Sequence, residues 1–304
     1  MSRKVLSLFV AAFLLGITIG AFADETVNSG EWNPSSLGPI TTWTAPLCEK
    51  GKLTTQPFFF YNHTRGRFND TGHYDALPEG EQKRQYQQQL FMQYGLTGRL
   101  EIDAQTIYQE NFKKQDELKA HSEGLGDSYF FTRYCLWEEQ RWLPQVTGIA
   151  QVKIPTGKYQ HADSDKLGAD LMGTGSWDPG FGVILTKKVK PFIFHADAIY
   201  SVPQEVKING ANTQYANYLN LDFAVEYFLP KGFNLMVEAN GFMQGEQKED
   251  GERSQDLDSR SLTVCPGIGW SNDTFQTLLA YQRIVAGKNT DANDSVVLSV
   301  VYTF

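Results

Sequence analysis

The sequence predicts an all-β fold: a closed antiparallel transmembrane β-barrel of about twelve strands, with short periplasmic turns and long extracellular loops. Three observations predict it. Segments of about ten residues alternate apolar and polar side chains, tight turns alternate with long polar connections, and the chain ends on an alternating apolar strand that finishes in Phe304. About ten tilted residues cross a bilayer, whereas soluble strands average roughly five or six residues, so a soluble sandwich is disfavoured.

The N-terminus predicts export and divides the chain into three parts. A basic start precedes an apolar run that ends in the small-residue pattern Ala21-Phe22-Ala23. We therefore expect residues 1–23 to be a signal peptide, residues 24–50 a periplasmic N-terminal segment, and residues 51–304 an outer-membrane β-barrel. The proline-containing segment 24–50 either enters the lumen as a plug or hangs free in the periplasm.

The alternation of side chains places each strand. In the stretch that starts at Arg99, Leu100 and Ile102 share one face, while Glu101 and Asp103 share the other. Strands of this kind are predicted at roughly 51–62, 84–95, 99–109, 125–137, 144–155, 176–187, 191–201, 217–229, 232–244, 260–271, 274–285 and 294–304. Prolines at positions 57, 179 and 266 fall inside three of them and cannot donate to a sheet ladder, so each should mark a β-bulge or else a misplaced strand boundary.

The connections between these strands alternate in length, which sets the topology. The tight turns are 96–98, 138–143, 188–190, 230–231 and 272–273, and the long polar connections are 63–83, 110–124, 156–175, 202–216 and 245–259. Outer-membrane barrels have short periplasmic turns, and an even number of strands brings both chain ends to that side.

The apolar faces of the predicted strands suit contact with lipid. They carry no Asp, Glu, Lys or Arg. A basic residue facing lipid at mid-bilayer costs about 2–4 kcal/mol, so this absence is expected of a barrel. Aromatic rings at the strand ends suit the membrane interfaces; they belong to Tyr94, Tyr108, Tyr200, Tyr227, Trp270, Tyr281 and Tyr302.

Several short motifs carry a resemblance to a known family. They are Gly124-Leu125-Gly126-Asp127, the run from Lys153 to Gly157, the run from Gly173 to Asp178, and the turn from Gly95 to Glu101. With these motifs the chain resembles the phenol-degradation meta-pathway transporter family of outer-membrane barrels, over most of residues 50–304. The resemblance implies a barrel that passes hydrophobic or aromatic molecules.

The polar faces of the strands would line the lumen, where carboxylates outnumber basic groups. The candidate pore-lining residues are Glu101, Asp103, Arg133, Lys153, His195, Asp197, Asp222, Glu226 and Glu238. Such a lumen has a negative potential that favours cations. Alternatively, the same side chains form a satisfied polar core that only stabilises the barrel.

The function predicted from these features is an outer-membrane channel or transporter barrel for small hydrophobic, aromatic or cationic solutes. An outer-membrane lipid or peptide hydrolase is the alternative, since His195 and Asp197 lie two residues apart on one face and are able to orient each other as a base and its carboxylate. A purely structural barrel is the third possibility. We predict no enzyme activity, because no serine in a nucleophile motif accompanies the histidine.

The remaining composition narrows the partners. The three cysteines and five histidines match no metal-ligand spacing, and no cofactor motif is found. The net charge of −8 argues against nucleic acid. We expect the partners to be the lipid bilayer and lipopolysaccharide, the barrel-assembly machinery, and a small-molecule solute. The expected location is the outer membrane, reached by signal-peptide export through the periplasm.

Overall fold

The structure is a computed structural model that describes residue 34 and residues 38–253, 258–272 and 274–304. The predicted signal peptide, residues 1–23, lies outside the described residues. In this part of the chain the fold is all β, apart from a short 3-10 turn at Pro230–Gly232. None of the described helices is long and apolar enough to cross a membrane.

Twelve strands form the barrel, as the alternation predicts. They are β1 Leu53–Phe68, β2 Gln82–Gly95, β3 Leu100–Gln115, β4 Ser128–Trp137, β5 Gln145–Ile154, β6 Asp178–Val189, β7 Phe192–Ser201, β8 Tyr218–Phe228, β9 Phe233–Gln244, β10 Ser259–Ser271, β11 Phe275–Lys288 and β12 Thr290–Thr303. Each strand pairs antiparallel with its neighbour in sequence. Pairing of β1 with β12, in the register Phe59 opposite Leu298, closes the barrel. Because the barrel is closed, the backbone N–H and C=O groups of its first and last strands are paired, and none is left to the hydrocarbon, which cannot form hydrogen bonds.

Several strands extend further into the long connections than the apolar pattern indicates. β1 continues to Phe68 and β3 to Gln115, so parts of the predicted loops 63–83 and 110–124 are strand. Beyond the lipid a ladder needs no apolar face, which is why the alternation of apolar residues stops before the strand does. Short strands also occur within the long connections, at Tyr74–Ala76, Leu118–Leu125, Val206–Ile208, Ala211–Gln214, Lys248–Glu249 and Glu252–Arg253.

The predicted bulges at the three prolines are wrong. Pro57 pairs with β2 and Pro266 with β9 in regular register, and Pro179 pairs with β5 one residue before the β6–β7 ladder begins. The register on the other side of Pro57 and Pro266 is also unchanged across the proline. Each proline therefore interrupts the pairing with one neighbouring strand but does not shift the register. The bulge in β10 lies elsewhere, between Leu262 and Thr263.

The two faces of the barrel differ as the sequence predicts. Outward side chains such as Phe59, Val237 and Leu279 are about half exposed in the isolated chain, where lipid would cover them. The inward residues of the same strands are buried, although the lumen of a barrel this size is wide enough for water in principle. Something other than the strands themselves must therefore fill the centre.

Candidate functional site

The N-terminal segment from Gly38 to Cys48, here called the plug segment, runs through the lumen. Its clearest anchor is Glu238 of β9, whose Oε1 accepts the backbone N–H of Ile40 at 2.7 Å. The other oxygen, Oε2, accepts the N–H groups of Thr41 at 3.0 Å and Thr42 at 2.9 Å, together with the Thr42 hydroxyl at 3.0 Å. One buried carboxylate thus holds three successive peptide groups by charge-assisted hydrogen bonds.

Further contacts continue along the plug segment. Trp43 donates its backbone N–H to Asp197 Oδ2 at 2.8 Å, and Ala45 donates to Thr186 Oγ1 at 2.8 Å. The carbonyl of Ala45 accepts the Thr147 hydroxyl at 2.6 Å. A chain that crosses a lumen without joining a sheet needs such side-chain partners for its backbone. Residues 38–48 of the predicted N-terminal segment therefore lie inside the lumen.

The Trp43 side chain fixes the middle of the plug segment by packing. Its ring meets Phe91 edge-on with centroids 5.6 Å apart, and Phe131 at 4.9 Å. The Arg133 guanidinium lies over the same ring, 5.2 Å from its centroid, in cation–π geometry. Arg133 also donates to the carbonyl of Thr44 at 2.9 Å. Trp43 and Thr44 of the plug segment are therefore held both by aromatic packing and by the Arg133 guanidinium.

Arg133 belongs to a buried triad with two of the predicted lumen carboxylates. Its Nε lies 2.9 Å from Asp103 Oδ2, and its Nη2 forms an ion pair with Glu101. Glu101 stands directly opposite Arg133 in the β3–β4 register and also accepts the N–H of Cys48. All three triad side chains are at most 1% exposed. The triad neutralises one of its two carboxylates and ties the end of the plug segment to the wall.

Lys153 is the centre of a second buried group, near the long-loop end. Its Nζ lies 2.6 Å from Asp178 and 3.8 Å from Asp127, and it contacts the Thr174 hydroxyl. Asp127 in turn accepts the N–H groups of Gly157 at 3.2 Å and Thr174 at 3.0 Å. This group, here called the Lys153 cluster, holds the connection 155–177 against the barrel wall.

The same connection folds back over the barrel mouth. The inward amide of Asn111 donates to the carbonyl of Ala169 at 2.8 Å, and Lys158 lies 2.5 Å from Asp170. Burial alone raises the pKa of Asp170, but the Lys158 hydrogen bond and backbone N–H groups outweigh it and hold that pKa below its usual range. The long connection is therefore a folded part of the site.

His195 does not pair with Asp197, so the dyad expected of a hydrolase is wrong. Its Nε2 lies 3.0 Å from Glu226 Oε1, on the neighbouring strand, and its Nδ1 lies 2.9 Å from the Thr186 hydroxyl. Both ring nitrogens are thus committed. Residues two apart on one strand share a face without touching, whereas a cross-strand neighbour is within hydrogen-bond reach.

Two cavities lie on either side of the plug segment. The larger, of about 660 Å³, is on the long-loop side and is lined by rings, amides and a few charged groups. The smaller, of about 430 Å³, is on the short-turn side near Asn272 and Thr274. Thr44 lines both cavities. The plug segment is therefore the partition between them.

Comparison with known proteins identifies the family. The family model described as "Putative MetA-pathway of phenol degradation" matches residues 110–300. The chain belongs to this family. No curated protein matches the chain.

One solved structure shares the fold of this family member, and two others are less similar to it. An outer-membrane channel from Pseudomonas putida F1 is similar at a TM-score of 0.72 and 16% identity, covering 88% of this chain and 100% of that one. The NanC porin has a TM-score of 0.48 and 10% identity, with 82% of this chain and 98% of that one covered. The CymD monoaromatic hydrocarbon channel has a TM-score of 0.44 and 7% identity, with coverages of 84% and 88%.

In this family member the three glycine motifs of the resemblance meet at the Lys153 cluster. Asp127, Lys153 and Asp178 come one from each motif, and both carboxylates form ion pairs with Lys153. A Cβ at Gly173 would lie 2.4 Å from Asp127 Oδ1, so the close approach of the 155–177 connection requires glycine there. The sequence spacing of 26 residues or less gives no hint of this meeting, which depends on the register of β4, β5 and β6.

All nine predicted lumen residues lie inward and are buried, but they fall into separate groups. Glu101, Asp103 and Arg133 form the triad. Lys153 belongs to the Lys153 cluster, and His195 binds Glu226. Asp197 and Glu238 hold the plug segment. Asp222, Arg133 and Lys153 also line the larger cavity.

Sequence reasoning missed the residues that receive the plug segment through neutral groups. Thr147 and Thr186 are inward threonines with no charge to mark them, and both bind Ala45. Trp43 lies outside the alternating strands. Its place in the run Gly38-Pro39-Ile40-Thr41-Thr42-Trp43, whose polar and aromatic residues have no strand to join, is the signal that points to it.

Proposed function

We propose that this outer-membrane barrel is a passive channel for small hydrophobic or aromatic solutes, which bind in the larger cavity. The observation that carries the proposal is the lining of that cavity. Its aromatic members are Trp43, Phe58, Phe60, Phe91, Tyr129, Phe131, Tyr215, Tyr218 and Phe242, and its amides are Gln56, Gln89, Gln93, Gln105, Gln151, Asn220 and Gln244. Rings supply contact for an apolar solute, and amides orient a hydroxyl or carbonyl group.

The charges of the cavity favour neutral over anionic solutes. Arg133 and Lys153 are each committed to two carboxylates, so neither is available to bind an anion. Carboxylates remain in excess, which suits a neutral or cationic group on the solute. Membership of a family named for phenol degradation agrees with a neutral aromatic solute.

Passage through the barrel requires the plug segment to move. It separates the two cavities and is held at Glu238, Asp197 and Thr186. Because its anchors are hydrogen bonds to side chains, and no sheet ladder holds it, we propose that a bound solute reaches the short-turn side when these contacts open transiently. Such a channel conducts ions poorly and passes solutes slowly.

Binding of a neutral aromatic probe tests the proposal. Phenol and toluene are titrated against the detergent-solubilised barrel while tryptophan fluorescence is recorded. We expect a saturable change in the wild type that is lost in Trp43→Phe, and uptake of aromatic solutes by liposomes that contain the barrel. A linear, unsaturable response in both proteins contradicts a binding cavity, and a structural barrel would give that result.

The geometry gives little support to an enzyme. His195 binds Glu226 and Thr186, and the Thr186 hydroxyl in turn accepts the Ala45 N–H, so this hydroxyl is an anchor of the plug segment. Asp197 instead holds the Trp43 peptide. We therefore propose that the barrel has no hydrolase activity.

We further propose the route and surroundings of the barrel. Residues 1–23 direct export and are removed, the barrel-assembly machinery inserts the chain, and the outward face contacts lipid and lipopolysaccharide with both ends in the periplasm. The exposed apolar outer face supports this arrangement. N-terminal sequencing of the mature protein should begin at Asp24. Protease added to intact cells should cut within 63–83, and cutting only after permeabilisation would reverse the topology.

A further inference from the structure

Three oxygen-bearing side chains stand in one row across neighbouring strands of the lumen. Asp222 of β8 is directly opposite Asp197 of β7 on one side and Asn240 of β9 on the other. Directly opposite residues have Cβ atoms about 4.5–5.5 Å apart. All three are buried, so all three point inward. We refer to Asp197, Asp222 and Asn240 as the acceptor row.

Two oxygens of the acceptor row have no hydrogen-bond partner. Asp197 Oδ2 accepts the Trp43 N–H, but Asp197 Oδ1 has none. Asn240 donates its amide N–H to the Thr42 hydroxyl at 3.3 Å, but its Oδ1 has none. The two residues are only 5% and 9% exposed. A buried acceptor without a partner costs about 1–3 kcal/mol, more when it is charged, so two such acceptors in one row point to something they bind.

No basic side chain among the described residues compensates the charge of this region. No ion pair there includes Asp197, Asp222 or Glu238. The nearest inward bases are committed elsewhere, since Arg133 binds Glu101 and Asp103, and His195 binds Glu226. Glu238 has its charge solvated by four donors of the plug segment, whereas Asp197 accepts the Trp43 N–H and Asp222 accepts the Asn240 amide and the Gly241 N–H, all of them neutral donors. Burial of two adjacent carboxylates without a counter-charge is strongly unfavourable.

We propose that the acceptor row binds a hard divalent cation of the Ca²⁺ class. Its donors are carboxylate and amide oxygens only, the ligand types that Ca²⁺ takes, with water completing the coordination. Two carboxylates match the charge of a divalent ion. Asp222 lines the larger cavity, which provides the entry path. Sequence spacing could not reveal this site, because its ligands come one from each of three strands.

The proposed ion adjoins the plug segment through a shared ligand. Asp197 would bind the ion through Oδ1 while Oδ2 keeps the Trp43 peptide N–H. Asn240 likewise links the row to Thr42. An ion bound here orders both side chains, and therefore strengthens the seat of the plug segment.

Equilibrium dialysis of the full-length, detergent-solubilised barrel with Ca²⁺ tests the proposal. We expect wild type to bind one ion that Asp222→Asn weakens by about tenfold or more, because ligand charge sets the affinity of calcium sites. Asn240→Ala should weaken it too. Glu79→Gln, an exposed acid of the 69–81 connection, should not. Heat-modifiable gel migration checks that each variant is folded.

A second readout locates the ion. Tb³⁺ replaces Ca²⁺ as the probe, and its luminescence should be sensitised by Trp43 and fall in Trp43→Phe. Equal Ca²⁺ binding by wild type and Asp222→Asn overturns the proposal. So does an infrared signal of a protonated carboxyl in wild type that disappears in Asp222→Asn, because a proton would then hold the place of the cation. The aromatic-solute titration is run in chelator, so failure of either proposal leaves the other intact.

Discussion

Glu238 shows how one residue can decide the state of the whole lumen. The sequence marks it only as an inward carboxylate, yet it holds three peptide N–H groups and one hydroxyl of the plug segment. Its side is settled by alternation along β9, because neighbouring residues of a strand face opposite ways. Its partners come from nearly two hundred residues earlier, so no local pattern predicts them.

We predict that Glu238→Gln loosens the plug segment. The amide nitrogen replaces an oxygen that accepts peptide N–H groups, and charge-assisted bonds become neutral ones, at a cost of about 1–3 kcal/mol to plug docking. Planar-bilayer recordings should show more frequent openings. Glu226→Gln makes the same change at a buried carboxylate of β8 that binds His195 and Asn234, and is the matched control. Equal opening frequencies in the two variants would show that charge alone matters.

Arg133 gives a second prediction, for stability. In Arg133→Met, two carboxylates lose their only basic partner in the described structure while they remain buried. Breaking a buried ion pair by removing one partner costs about 3–5 kcal/mol. Urea unfolding followed by gel migration measures this loss. Arg84→Met, at an exposed position, should change the unfolding midpoint little. A similar loss of unfolding free energy in both variants would show that the buried triad does not stabilise the barrel more than an exposed arginine does.

At the scale of a strand, alternation is a reliable guide because the solvent differs on the two faces. We predict that Val237→Arg, on the outward face of β9, destabilises the barrel by about 2–4 kcal/mol near the bilayer midplane. Asn220→Arg places the same charge beside the larger cavity, where water can reach it, and should cost much less. Folding titrations in lipid vesicles compare the two variants. Equal destabilisation by the two substitutions would show that the inward and outward faces are assigned wrongly.

The connection 155–177 is an element that Asp127 holds against the barrel wall at two of its backbone N–H groups. In Gly173→Ala the new Cβ would stand 2.4 Å from Asp127 Oδ1 and displace the carboxylate that holds the connection. We predict faster protease cleavage within 155–177. At Gly98 a Cβ meets nothing within 4 Å, so Gly98→Ala should leave cleavage unchanged. If both variants resist protease equally, the Lys153 cluster does not hold this connection.

At the scale of the whole molecule, the excess of carboxylates gives the lumen a negative electrostatic potential. Whatever current passes when the plug segment opens should be carried by cations, because a negative field in a narrow space is poorly screened. We predict that Asp222→Asn with Glu226→Gln shifts the reversal potential in a salt gradient toward zero. The shift should shrink near 1 M salt, where the Debye length is about 3 Å. Anion selectivity in the unmodified barrel would contradict this prediction.

The sequence by itself determined the barrel, its number of strands, the alternation of short turns with long connections, and which strand residues face inward. These follow from the two-residue period of a strand and from the requirement that residues in contact with lipid be apolar and their backbone paired. Both leave a pattern among residues that are close in sequence. The positions of Val237 outside and Glu226 inside needed no further information.

Only the tertiary structure decided what fills the lumen. The pairing of His195 with Glu226 rather than Asp197, the meeting of Asp127 with Lys153 and Asp178, and the seat of residues 38–48 depend on register between strands and on closure. The physical reason is the range of the forces involved. The contrast between lipid and water acts on each residue separately, whereas hydrogen bonds and ion pairs act over about 3–4 Å between residues that only the closed barrel brings together.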